Sequence, residues 1–222
     1  MIERPDNLTD LVFAAIRDRI VDATLPPGDS VSEATLAKDL SVSKTPVREA
    51  LLRLRRIGLV EPTSRGLRVT LPSARSVRHA FEYRAVLESG AGQHAVRHAT
   101  AEQLERIDHW ASCSLTSARD EDATEFREAD HQFHLAVADA SGNQYLRPAI
   151  DDAFVLTLAL RQRDVRLVRD LVPDALEHLQ IAAALRDRDA ASASAQLSSH
   201  VIRIMDQLLG AMAATDAVVG VR

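Results

Sequence analysis

The chain has 222 residues, a formal net charge of −5, 46% hydrophobic and 27% charged residues, the make-up of a globular protein with a real core and room for one or two domains. A single cysteine, Cys113, excludes an intrachain disulfide framework and any thiolate-rich zinc module. No apolar run approaches the ~18 residues of a membrane span, and the opening MIERPDNLTD lacks the basic-then-apolar pattern of a secretory leader, which predicts a cytoplasmic chain.

Residues 8–22 place Leu8, Leu11, Val12, Ala15, Ile16 and Arg19 on one face of an amphipathic helix. Leu25-Pro26-Pro27-Gly28 ends it in a turn, because proline donates no backbone bond and glycine permits positive φ. Ser32 to Leu40 reads as a short helix with Leu36, Ala37 and Leu40 inward, and Ser41-Val42-Ser43 breaks it. Ser43 is a natural N-cap for a third helix, which tolerates Pro46 in its first turn. That helix runs to about Ile57, buries Val47, Ala50, Leu51 and Leu54, and stops at Gly58. Leu59–Glu61 and Leu67–Thr70 read as two strands joined by the polar tip Pro62–Gly66. Three short helices and a two-stranded hairpin make a winged helix-turn-helix over residues 1–72, with Leu71-Pro72-Ser73 as linker.

From residue 73 the pattern is helical throughout, with helices expected near 74–98, 101–119, 122–141, 144–166, 171–187 and 189–213. Thr100-x-x-Gln103 is a capping box, and Ser141-Gly142-Asn143 is a stop. The fold class is therefore mainly α: a winged domain, then an all-α bundle of about six helices over 73–213, then a frayed tail, 214–222.

Charge divides along the same line. Residues 1–72 carry 11 Lys and Arg against 10 Asp and Glu, while the rest carries 16 against 22 and all eight histidines. Residues 44–68 hold seven basic side chains and two acidic ones, a local +5. In a helix-turn-helix the second helix enters the major groove with its N-terminal residues. Here that segment begins Ser43-Lys44-Thr45 and carries Arg48, all pointing away from the apolar stripe. Ser43 and Thr45 suit phosphates at a helix N-terminus; Arg48 suits guanine and Lys44 base or phosphate. Arg65 and Gly66 at the wing tip suit the minor groove or phosphates. A solvated basic face is the plainer reading of a charge run, but capped helix, turn and wing arriving in order favour DNA.

Leu25-Pro26-Pro27-Gly28, Val31-Ser32-Glu33, Leu36-Ala37, Leu40 to Leu51 (LSVSKTPVREAL) and Gly58-Leu59-Val60 together closely resemble the N-terminal domain of GntR-family bacterial transcription regulators. The resemblance implies a DNA-binding regulator. Two positions depart from it: Lys44 stands where the family usually has an arginine fork, and Ala34 where it often has a basic residue. Both bear on which operator is read.

In the bundle, Asp130 and His134 are four residues apart on a face shared with Phe126 and Val137. His178 lies with Ala175, Ile181, Ala182 and Leu185, and His200 with Leu197, Val201 and Ile204. Three histidines and an aspartate on inward faces suit a divalent metal, although a histidine on an apolar face is also an ordinary core residue, and the stripes alone leave both readings open. His131 is expected at the surface, and His79, His94, His98 and His109 show no comparable grouping. Arg84 and Glu88 interrupt the apolar stripe Val77, Phe81, Ala91, Ala95, either as an i,i+4 ion pair at its edge or with Arg84 turned toward a ligand carboxylate.

Asp130-x3-His134, Ser141-Gly142-Asn143, Glu177-His178 and His200 resemble the metal-binding pattern of the FCD effector domain, the FadR-type branch of the same family, over about residues 76–212. That resemblance implies Asp130, His134, His178 and His200 as ligands of a divalent metal, zinc or nickel, with Arg84, and Glu88 behind it, at a pocket for a small carboxylic acid. The expected molecule is a homodimeric, ligand-responsive regulator, a repressor, gripping palindromic operator DNA. Two other readings stand beside it. One is a metal-dependent enzyme with a DNA-binding appendage, for which His131 and Glu128 are the only nearby general-base candidates. The other is a DNA-binding protein whose bundle only dimerises.

Overall fold

The computed structural model describes residues 8–161 and 170–219. The chain divides into two compact units, one built from residues up to Ser73 with a segment beginning at Val155, the other from Ala74–Phe154 with the C-terminal region. No described helix is long and apolar enough to cross a membrane.

The first unit orders α1 (Leu8–Val21), β1 (Ser30–Val31), α2 (Glu33–Asp39), α3 (Lys44–Ile57), β2 (Val60–Thr63) and β3 (Gly66–Val69). Ser32 caps α2, its hydroxyl accepting from Thr35 N–H. Pro46 is buried in the first turn of α3, where its missing N–H costs no helical bond. Gly58 closes α3 at φ +96°, a left-handed conformation that favours glycine, and its N–H reaches back to the Leu54 carbonyl at 3.1 Å. Val47, Ala50 and Leu54 are fully buried, each larger side chain contributing about 1.5–3 kcal/mol. Val155, Ala159 and the partly buried Leu156 belong to the same core.

Three expectations for this unit are corrected. The wing has three strands, not two: β1 pairs antiparallel with β3 (Ser30↔Arg68, Val31↔Leu67), giving the order β1-β3-β2. Two residues are too few for alternation to show. The hairpin strands sit a residue or two nearer the tip than expected, with Thr63 paired to Gly66 around Ser64-Arg65. The buried face of α1 is Val12, Phe13, Ile16 and Ile20, whereas Leu8 and Leu11 are half exposed. α3 selects that face, because Val12, Phe13, Ile16 and Ile20 share one core with Val47, Ala50, Leu51 and Leu54, and the Arg53 guanidinium adds a stack 3.8 Å over the Phe13 ring.

The second unit is helical: α4 (Ala74–His98), α5 (Ala101–Arg119), α6 (Ala123–Ala140), α7 (Leu146–Leu160, of which the part to Phe154 belongs here), α8 (Val172–Arg186) and α9 (Ala190–Val219). The Thr100/Gln103 capping box forms as expected, with Thr100 N–H on Gln103 Oε1 at 2.9 Å. At the C-terminal end of α4, just before that box, Arg188 donates to the Val96 and Ala99 carbonyls at 2.8 and 2.9 Å. Helices α4 and α9 approach closely at Gly92, where a Cβ would collide with Leu197, and Ser89 and Ser194 hydroxyls meet at 2.7 Å beside it. Ile107, Phe133, Ile150, Ile181, Leu185 and Leu197 form the core.

Two ends differ from the sequence reading. α9 continues through an alanine-rich stretch to Val219, past the expected stop at 213, because nothing there breaks a helix. The helix expected over 144–166 is observed to Leu160, and residues 162–166 lie outside the described ones, as do 220–222 of the expected tail.

Candidate metal centre and nucleic-acid interface

The first turns of α3 present Ser43, Lys44, Thr45 and Arg48 on the exposed side, opposite the buried Val47–Leu54 stripe. Ser43 occupies the N-cap position with extended backbone, but its side chain makes no capping bond. The capping role expected of it is thus positional only. Arg65 and Gly66 are exposed at the wing tip, Gly66 at φ +132°.

Within the basic patch, Arg53 binds Asp10 at 3.2 Å, Arg68 binds Glu61 at 2.6 Å, and Arg48 is held by Glu33. Arg48 Nε lies 3.2 Å from both Glu33 oxygens and Nη2 lies 3.0 Å from one of them. Glu33, to which the sequence reading gave no role of its own, thereby orients Arg48 from the first turn of α2, and the Arg48 hydrogen bond draws its carboxyl below the usual range. Its signal was available: an acid at the start of α2, beside the helix that follows. Among the described residues Lys44, Arg55, Arg56 and Arg65 make no ion pair, so the patch keeps uncompensated positive charge.

In the bundle, four expected residues converge. Asp130 and His134 project from successive turns of α6, His178 from α8 and His200 from α9. One ligand atom from each lies within 4.8 Å of all the others, and all four residues are buried.

The surroundings assign the ring protons. His134 Nδ1 faces Glu88 Oε2 at 2.6 Å, close enough for an ion pair although outside hydrogen-bond angles. His200 Nδ1 lies 2.7 Å from Glu177 Oε2. His178 Nδ1 lies 3.0 Å from Ser114 Oγ, whose own proton goes to the Ala111 carbonyl. Each Nδ1 therefore meets an acceptor, which places the proton there and the lone pair on Nε2. The three Nε2 atoms are buried without a hydrogen-bond partner. Those of His134 and His178 look instead at Asp130 Oδ1, at 3.3 and 3.4 Å.

Electron-pair donors that converge in a dry interior repel unless a cation sits among them. Two donors on one ion, with tetrahedral bonds of about 2.0–2.1 Å, stand about 3.4 Å apart, the spacing these pairs show. The donor set is three nitrogens and one oxygen. Cys113 is elsewhere, on α5, in contact with His109 at 3.6 Å. The residues present thus fit a divalent ion held by imidazole and carboxylate.

Ionisation fits as well. Burial opposes the charge on Asp130, but the His134 and His178 imidazoles beside it outweigh that and hold the carboxyl well below the usual range. Burial pushes His200 down to about 3 and lowers His178 too, keeping both neutral. Burial also acts against His134, yet the Glu88 charge prevails and raises it, so an ion bound there would displace the proton from Nε2.

Arg84 and Glu88 are both 1% exposed. Arg84 Nε binds Glu88 Oε1 at 2.5 Å while its guanidinium lies 4.4 Å over the Phe154 ring. Burial raises the Glu88 carboxyl, but Arg84 and His134 bring it to about 2. His131, expected at the surface, is half-buried: its ring stacks 4.4 Å from Phe154 and Nε2 meets Asp151 at 2.8 Å.

Residues 8–66 match the family model described as bacterial regulatory proteins, gntR family, and residues 79–203 match the FCD domain model. The chain is 29% identical to the Nta operon transcriptional regulator of Aminobacter aminovorans, over 82% of this chain and 86% of that one. It is also 29% identical to the HTH-type transcriptional regulator LutR of Bacillus subtilis, over 86% and 96%. Among solved structures it is similar in fold to E. coli McbR/YncC, with a TM-score of 0.79 at 21% identity, covering 96% of this chain and all of that one.

Proposed function

The chain belongs to the GntR family of bacterial regulatory proteins, with an FCD domain as its second half, and is a DNA-binding transcription regulator rather than an enzyme; from that premise we propose that the FCD domain binds a divalent metal, zinc or nickel, and a small carboxylate effector. The observation that carries this reading is the set of three buried Nε2 atoms turned, with Asp130, onto one point. A bound divalent ion would supply a Lewis-acidic anchor for a ligand carboxylate.

Asp130, His134, His178 and His200 hold the ion. Arg84 offers the planar guanidinium that suits a carboxylate, and Glu88 sets its direction instead of touching the ligand. On the DNA side, Ser43 and Thr45 receive phosphates, Arg48 and Lys44 meet base edges or phosphates, and Arg65 with Gly66 follows the backbone at the wing. Two copies, acting in the cytoplasm, place two such surfaces on a palindrome. The effector binds one packing of the bundle better than another and so shifts the population that binds DNA. The regulator is a repressor, as the family resemblance implies.

The test uses the full-length protein, DNA it selects from a random pool, and a panel of small mono- and dicarboxylates. Purified protein is expected to carry about one metal per chain, and at least one acid is expected to release it from DNA. A stoichiometry near zero under metal-replete conditions overturns the metal site. A metal-loaded complex indifferent to the whole panel overturns the effector class. Tighter DNA binding in place of release would leave both sites standing and reverse the sign of regulation.

A further inference from the structure

Two carboxylates at the cluster are each gripped by an arginine. Glu88 lies between Arg84 and His134, deep in the bundle. Glu177 lies between Arg203 and His200, where the bundle meets solvent. The second relay has a geometry of its own. On α8, Asp174 and Glu177 are three residues apart; on α9, His200 and Arg203 are three residues apart, so each pair shares a helix face. Arg203 Nε donates to Glu177 Oε1 at 2.6 Å. Its Nη2 donates to Glu177 Oε2 and to Asp174 Oδ1, both at 2.6 Å. Glu177 Oε2 then accepts from His200 Nδ1 at 2.7 Å.

We propose that Arg203 is a positioning residue for the metal centre: it clamps Glu177 in the one orientation that keeps the proton on His200 Nδ1 and turns Nε2 onto the ion. This rests on the metal reading above. A carboxylate side chain on a helix samples several rotamers. The fork fixes both oxygens of Glu177 at once, and Asp174, 3% exposed, anchors the fork from the same helix. A lysine at this position offers a single point charge and cannot fix both oxygens. Partners behind a metal-bound histidine set its tautomer and orientation, and losing one typically costs 10–100-fold in metal affinity. Arg203 also ties α9 to α8, the helices that bear His200 and His178, so the clamp and the ion favour the same spacing of the two.

The experiment compares the full-length protein with Arg203→Met, Arg203→Lys and Glu177→Gln. Zinc affinity is read by chelator competition, cobalt coordination by its visible absorption, and metal-free stability by thermal melting. Arg203→Met and Glu177→Gln are expected to weaken zinc 10–100-fold and to alter the cobalt spectrum. Arg203→Lys is expected between Arg203→Met and wild type. The metal-dependent rise in melting temperature should shrink more than the metal-free melting temperature falls. If Arg203→Met binds zinc as tightly as wild type with the same cobalt spectrum, the clamp is wrong while the metal site stands. If wild type itself binds neither zinc nor cobalt, the metal reading beneath it fails. Should Arg203→Met not fold, Arg203→Lys decides, since it keeps the charge: wild-type affinity and spectrum there overturn the proposal.

Discussion

Glu88 Oε2 approaches His134 Nδ1 at 2.6 Å with both side chains buried, which joins the longest helix running through the FCD unit's first half to a member of the aspartate–histidine cluster. The carboxylate has no water to fall back on. Its charge is balanced by Arg84 on one oxygen and by the imidazole on the other. Glu88→Gln removes the charge but keeps the shape, so the bundle is expected to fold. Zinc affinity should fall 10–100-fold in chelator competition, and any carboxylate response should weaken as Arg84 loses its partner. Unchanged zinc affinity in Glu88→Gln would mean that His134 does not need this contact to ligate.

His134→Ala is expected to lose the metal and the effector response while keeping most DNA affinity, because His134 and the recognition helix lie in different units. Elemental analysis and operator binding check the two halves. Wild type at a free metal concentration of 100 Kd gains about 2.7 kcal/mol of stability, seen as a rise in melting temperature that should vanish in the variant. Full metal content in His134→Ala would show that the ligands are misassigned.

Arg48→Ala should abolish specific operator binding while leaving the oligomeric state intact, since Arg48 is exposed and its ion pair is with Glu33 in the same unit. A retained footprint would refute the assignment of α3 as the reading element. Glu33→Gln is the informative companion. It frees Arg48 to other rotamers, so discrimination at one base pair should relax by about 1–3 kcal/mol while binding to unrelated DNA changes little.

Lys44→Ala should weaken binding about equally across DNA sequences and reduce the salt dependence of log affinity by about one unit, if Lys44 meets phosphate. A loss confined to one operator sequence would place Lys44 on a base edge instead.

Gly92→Ala should destabilise the FCD unit by about 1–3 kcal/mol, read as a lower midpoint in urea. Its Cβ would meet Leu197 within a real Cβ's exclusion distance, and Leu197 is fully buried in the core with little room to swing away. A variant as stable as wild type would show that α4 and α9 separate at little cost.

Much of the fold was legible because its signals are local. The capping box at Thr100 and Gln103, proline in the first turn of α3 and glycine just after it each depend on backbone groups within a few residues. The stripes on α4, α6, α8 and α9 were legible for the same reason, and they named the four cluster residues. Longer-range choices were not. Both Leu11 and Phe13 are apolar residues on α1, and only packing into the first unit's core, with Arg53 stacked over the ring, decides that Phe13 goes inward. β1 exists only because β3 passes beside Ser30 and Val31. His131 reads as a surface residue until Phe154, more than twenty positions away, lies against its ring.

Net charge was a poor guide to partner, since −5 averages a basic reading head with an acidic bundle. By itself the sequence determined the order of elements, the +5 patch on α3 and the wing, and, through the lone cysteine, that any metal must be held by imidazole and carboxylate. The tertiary structure decided that Nδ1 of His134, His178 and His200 faces Glu88, Ser114 and Glu177 respectively. It also brought Glu33 onto Arg48 and Arg203 onto Glu177. The physical reason is the reach of the interactions. Helical period and caps are written within a turn of chain, whereas a tautomer depends on an acceptor brought up from another helix, 23 to 64 residues away for His200 and His178.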